Sequence, residues 1–78
     1  MPLTKQEKQF IKMLGERVVT LREEKGMKQI DLARALEIED SALRRIESGR
    51  TNPTLKTLLR IAKAFDLEII ELFHFSEP

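Results

Sequence analysis

The chain has 78 residues, a net charge of +1, no cysteine and one histidine, with charged side chains making up 35% of it. One domain fits this length and two do not, and folding removes only about 60% of the unfolded surface from water, so the core is small. A disulfide framework and a Cys/His metal centre are both excluded, which leaves helix packing as the source of stability.

The start, Met1-Pro2-Leu3-Thr4-Lys5, has no signal-peptide apolar run, and no apolar stretch approaches the ~18 residues that span a membrane. A cytoplasmic protein with no membrane contact is expected. Charge is uneven: residues 1–27 carry +2, residues 28–60 carry +2 and residues 61–78 carry −3. The first sixty residues therefore suit a polyanion better than the tail does, or they simply form a solvated surface.

In chain order, Thr4 and Glu7 have capping-box spacing and predict a helix over about residues 4–25, ended by Gly26. Phe10, Ile11, Leu14, Val18 and Leu21 fall within one ~100° arc of that helix and predict its core face. Gly15 inside it costs about 1 kcal/mol relative to alanine and suits a close helix contact. A second helix runs from Lys28 or Gln29 to Leu36, with Leu32, Ala33 and Leu36 inward.

A third helix starts near Asp40 and ends at Gly49. With Asp40 at the origin, Leu43 and Ile46 fall at about 300° and 240°, whereas Ser41, Arg44, Arg45 and Ser48 lie between about 40° and 140°. Apolar and polar faces separate. Arg50-Thr51-Asn52-Pro53 is a turn, and Thr54 caps a fourth helix whose apolar side carries Leu55, Leu58, Leu59, Ile61, Ala62 and Phe65. Leu67 to Phe75 then places apolar residues almost all round a fifth helix, which needs cover on more than one side. The expected fold is an all-α, compact five-helix bundle, one domain over residues 1–78.

The third helix has what a reader of the DNA major groove needs, a braced element with an outward polar stripe. Arginine bonds bidentately to guanine O6 and N7, serine bonds to bases or phosphates, and aspartate accepts from cytosine N4. Lys28, Arg50, Thr51, Asn52 and Lys56 flank the stripe, where they suit phosphate contacts.

At these residues the chain resembles a known family. Gly26-Met27-Lys28-Gln29-Ile30-Asp31-Leu32-Ala33, Ile38, Leu43, Arg45-Ile46-Glu47, Gly49-Arg50 and Asn52-Pro53-Thr54-Leu55 resemble the Cro/repressor type, or xenobiotic-response-element type, of helix-turn-helix transcriptional regulator. The similarity runs without a gap from Leu14-Gly15 to Glu71-Leu72-Phe73. It implies a lambda-repressor-like fold with the second and third helices as the motif. By the same resemblance, Asp40, Ser41, Arg44 and Arg45 sit at or near base edges, and Gln29 touches a phosphate or braces the recognition helix. Lys28, Ser48, Arg50, Thr51, Asn52 and Lys56 complete the phosphate set. Arg22 and Glu47 match positions that form a structural ion pair in the family.

There are departures from the family pattern. Glu37 stands where the family has glycine, at about 1 kcal/mol if its backbone is left-handed. Glu39 and Asp40 bring two carboxylates towards a polyanion, with Asp40 equally suited to capping the third helix. Lys28 replaces a capping serine, and Asp66 and Glu68 replace a glycine and a serine.

The expected function is sequence-specific binding of double-stranded DNA by a small regulator, a repressor acting as a homodimer on an inverted repeat. Residues 66–76 are the expected dimerisation segment, through Ile69, Leu72, Phe73 and Phe75, unless these only close the monomer's own core. The alternative is a protein-interaction or antitoxin-like module of the same fold, favoured by Glu39, Asp40 and the apolar C-terminal segment. An enzyme is not expected, since there is no cysteine, tyrosine or glycine-rich phosphate loop, and no cofactor or metal is implied.

Overall fold

A computed structural model describes residues 2–75. Four α-helices follow in order: α1 (Lys5–Glu24), α2 (Gln29–Leu36), α3 (Asp40–Glu47) and α4 (Leu55–Ala64). A short 3-10 helix, Ile69–Phe73, comes last. Among the described residues no helix is long and apolar enough to cross a membrane.

Two helix starts are set by threonine side chains. Thr4 Oγ1 accepts from the Glu7 amide at 3.0 Å and the Glu7 carboxylate accepts from the Thr4 amide at 2.7 Å, so both orphan donors are satisfied. Thr54 Oγ1 accepts from the Thr57 amide at 3.1 Å. At α2 the N-cap is Lys28, whose ammonium has no lone pair to offer, so only the reverse bond forms, from the Lys28 amide to Asp31 Oδ2 at 2.8 Å. The N-cap of α3 is Glu39, with no side-chain bond, and Asp40 is the first helical residue. Capping by Asp40 is therefore corrected: its carboxylate is exposed in the first turn, where it still complements the helix dipole.

The core is built from Leu14, Val18 and Leu21 of α1, Leu32 and Leu36 of α2, Leu43 and Ile46 of α3, and Leu58, Ile61 and Phe65 at α4. Small residues decide how closely the helices pack. A Cβ on Gly15 would stand 2.5 Å from the Ile46 carbonyl oxygen and 2.7 Å from that of Glu47, so α1 lies directly on the end of α3. Gly49, at φ 74°, lets the following turn press on α1, where an added Cβ would meet Lys12 Cα at 2.7 Å.

Two expectations about apolar faces are corrected. Leu55 and Leu59 are 66% and 51% exposed, on the solvent side of α4. With Leu55 at the origin, Leu58, Ile61, Ala62 and Phe65 span about 240° to 340° and face the core, while Leu59 falls at about 40°. Phe10 is also exposed, at 38%, because α1 runs past the end of α3 there, and its ring meets Phe73 and Phe75 at centroid separations of 6.1 and 5.1 Å.

The fifth α-helix is likewise corrected to a single 3-10 turn. Asp66 adopts a left-handed backbone, φ 57°, which stops α4, and the Glu68 amide donates to Glu71 Oε2 at 2.8 Å to start the turn. The Arg17 guanidinium donates to the Glu71 carbonyl through Nη2 at 3.0 Å and Nε at 3.3 Å, tying the turn to α1. This tighter path drops Leu72 into the core at 0% exposure. Leu72 is thus removed from the expected dimer interface, and Phe73 and Phe75 are half-buried against Phe10. Ser76, the end of the expected dimerisation segment, lies outside the described residues.

Glu37 adopts φ 56° and ψ 44°, so the turn between α2 and α3 keeps its left-handed residue without a glycine. Replacing Glu37 with glycine should raise stability by about 1 kcal/mol, seen as a higher urea midpoint at unchanged slope. Gly15→Ala should do the reverse and cost about 1–3 kcal/mol despite alanine's better helix propensity, because backbone on α3 cannot move aside. A neutral Gly15→Ala midpoint would show that the α1 and α3 contact relaxes freely.

Candidate nucleic-acid interface

The turn Glu37–Glu39 aims α3 outward from α2. The Ile38 amide returns to the Ala33 carbonyl at 3.0 Å and the Glu37 amide to that of Arg34 at 3.1 Å, closing the end of α2. Buried Leu43 and Ile46 then hold the inner face of α3, while Asp40, Ser41, Arg44, Arg45 and Ser48 are exposed on the outer one. All five residues of the outward stripe occupy one accessible surface.

The brace behind that surface is ionic. Glu47, only 8% exposed, takes Arg22 Nε on one carboxylate oxygen at 2.8 Å, and Gln29 Nε2 at 2.7 Å and Arg22 Nη2 at 3.4 Å on the other. Arg22 Nη1 also donates to the Met27 carbonyl at 2.9 Å. One carboxylate therefore joins α1, the loop after it, the first residue of α2 and the last of α3. With both lone-pair faces occupied and a cation within contact, its burial is compensated. Gln29 occupies the bracing position, with its amide nitrogen committed to Glu47.

Beyond α3 the polar residues are ordered by one another. Ser48 Oγ donates to the Arg45 carbonyl at 3.3 Å and accepts from Arg50 Nε at 2.9 Å. Ser48 thus orients Arg50 through its Nε. Asn52 and Lys56 are exposed and Thr51 is half-buried on the same turn and the start of α4, and Lys28 is exposed at the start of α2. A shallow groove of about 200 Å³ runs between α3 and α4, lined by Arg45, Ala42, Ile38, Thr51, Asn52 and Thr57. Its half-buried alanine lies at the edge of the polar stripe, where a helical wheel scores it neutral.

Apolar side chains outside the expected set are exposed on α4 and on the 3-10 turn. Leu55, Leu59 and Ile70 are exposed at 66%, 51% and 66%, and Leu59 and Ile69 line one shallow depression of the surface. The signal was present in the sequence as an apolar arc of about 160° on α4, wider than the ~100° that one core contact uses.

Comparison with known proteins agrees with this geometry. Residues 19–72 match the family model described as helix-turn-helix, HTH_3. The chain is 39% identical over 59 residues to the HTH-type transcriptional regulator DdrOP3 of Deinococcus deserti, covering 76% of this chain and 46% of that protein. It is 41% identical over 58 residues to the ImmF control region 10 kDa protein of Bacillus phage phi105, covering 74% of this chain and 64% of that one. The match thus spans less than two thirds of either relative. Among solved structures, the restriction-modification controller protein C.AhdI from Aeromonas hydrophila superposes with a TM-score of 0.78 at 35% identity, covering 81% of this chain and 96% of that one.

Removing the carboxylate in Glu47→Ala strands the Arg22 guanidinium and should cost about 3 kcal/mol in urea unfolding. Gln29→Ala, which removes one charge-assisted bond, should cost about 1.5 kcal/mol. A Glu47→Ala loss below that of Gln29→Ala would show that the ion pair adds nothing.

Proposed function

Because this chain belongs to the helix-turn-helix family through residues 19–72, we infer that it binds double-stranded DNA sequence-specifically as a transcriptional regulator, acting as one DNA-binding domain in the cytoplasm. The observation that carries the reading is the exposed row Asp40, Ser41, Arg44 and Arg45 on a helix locked from behind by Arg22, Glu47 and Gln29. A helix entering the major groove is useful only if its orientation is fixed, and this brace supplies that. The names of the relatives, a transcriptional regulator, a phage control-region protein and a restriction-modification controller, support a regulatory role over a catalytic one.

In this reading α3 lies in the major groove. Arg45, with Arg44 beside it, addresses guanine O6 and N7, Ser41 bonds to a base edge, and Asp40 accepts from cytosine N4. Lys28, Arg50, Thr51, Asn52 and Lys56 hold phosphates on either side and set the register. Ser48 serves through Arg50, which it orients, and Gln29 serves chiefly as part of the brace.

A single recognition helix covers few base pairs, so the regulator pairs with a second copy to address two half-sites about one helical turn apart. The interface is the apolar surface of Leu55, Leu59, Ile69 and Ile70. The exposed carboxylates of Glu39 and Asp40 at the start of α3 favour a second reading, a partner-binding module of the same fold without DNA.

Selection of bound duplexes from a random pool separates the two: an enriched inverted repeat establishes specific reading by a two-fold dimer, and no enrichment turns the search to protein partners. On the selected site, Arg45→Ala should relax preference at one base pair and cost about 1–3 kcal/mol, whereas Arg50→Ala should weaken all sequences alike. Equal losses from both changes on every sequence would remove Arg45 from base reading. Sedimentation should show a dimer that Leu59→Glu with Ile70→Glu converts to a 9.1 kDa monomer. A monomeric parent chain at high micromolar concentration would overturn the pairing.

A further inference from the structure

We propose that the first turns of α1 carry a second phosphate-binding site, in which Lys8 and Lys12 join Arg50 to grip the DNA backbone beyond the stretch that α3 reads. The inference rests on the DNA-binding reading above and extends it to a part of the chain outside the family match, which starts at residue 19 although α1 starts at Lys5.

Those early turns are built against the reading surface. Gly49 has no side chain where a Cβ would stand 2.7 Å from Lys12 Cα, so α1 rests directly on the turn after α3. Between them lies a groove of about 380 Å³, lined by Leu3, Lys8, Ile11, Lys12 and the residues Ser48 to Asn52. Among the described residues no carboxylate lines it. Among the described residues the one ion pair within 4.0 Å is Arg22 with Glu47, so Lys8, Lys12 and Arg50 meet the groove without a neutralising partner. The Arg50 guanidinium is aligned by Ser48 Oγ at 2.9 Å, a neutral acceptor that leaves its charge available.

Position joins this groove to the DNA face. Thr51 and Asn52 line it and also line the groove beside Arg45, so the two meet at one turn of chain. A strand crossing that turn from Arg45 passes onto Lys8 and Lys12. Those two lysines are one helical turn apart, about 6 Å along the axis, and both are exposed. They serve separate phosphates. Since phosphates carry no sequence information, the site adds affinity and salt dependence and leaves base preference untouched.

The test uses the full chain and the selected duplex, with affinity followed by fluorescence anisotropy between about 50 and 200 mM salt. Lys8→Gln with Lys12→Gln should lower the slope of log K against log salt by about two and weaken binding on the order of tenfold to a hundredfold, with the ranking of base substitutions unchanged. Lys8→Arg with Lys12→Arg should restore both. Shortening the duplex outside the half-sites should abolish the difference between the parent chain and the glutamine variant. Equal affinity and slope for parent and glutamine variant would overturn this proposal while the DNA reading stands, leaving the groove to an acidic peptide. Failure of the arginine variant to restore the slope would also overturn it. A parent chain that binds no duplex would overturn both readings together.

Discussion

The carboxylate of Glu47 is the point on which the arrangement turns. It is buried at the last residue of α3, and a buried anion is tolerated only when its oxygens are bonded and its charge is met. Arg22 and Gln29 meet those demands from α1 and from the start of α2. The requirement to satisfy one charge therefore sets where three helices stand. An apolar contact at the same place would gain comparable burial but tolerate sliding, since hydrophobic contact is non-directional. A recognition helix has to keep its outward stripe aimed within a fraction of a turn, and directional bonds give that orientation.

Gly15 complements the brace. The Arg22 guanidinium reaches Glu47 because α1 lies against the last carbonyls of α3, and that approach exists because residue 15 has no Cβ. Gly49 repeats the device one turn further on, against Lys12. The two glycines thus place the N-terminal turns of α1 beside the turn that carries Arg50. A helix that braces the motif at one end becomes, at its other end, a wall of the groove beside it.

The helices and their inner faces were legible in the residues. Thr4 with Glu7 and Thr54 with Thr57 start helices through short-range bonds that need no tertiary partner, and the spacing of Leu43 and Ile46 against Arg44 and Arg45 follows from 100° per residue alone. Elsewhere the pattern ran out. Leu55 and Leu59 belong to the apolar arc of α4 on a wheel, but a wheel reports that a face is apolar and not what covers it. Phe10 was drawn to the core face by the same reasoning and packs on Phe73 and Phe75 at the rim.

What the sequence by itself determined is therefore local: where α1 to α4 lie, the threonines that cap α1 and α4, and which polar row on α3 faces away from its leucine and isoleucine. Hydrogen bonds within one turn and a fixed helical period decide those features. Only the tertiary structure decided the path after α4. A left-handed Asp66 and the Arg17 bond to the Glu71 carbonyl compress that segment into one 3-10 turn, bury Leu72 and leave Ile70 outside. The same holds for Ser48, which is turned from a surface hydroxyl into the support of Arg50, and for Lys8 and Lys12, which stand across a groove from residues about forty positions later. Contacts between residues distant in the chain depend on how closely whole helices approach, and no local period encodes that distance.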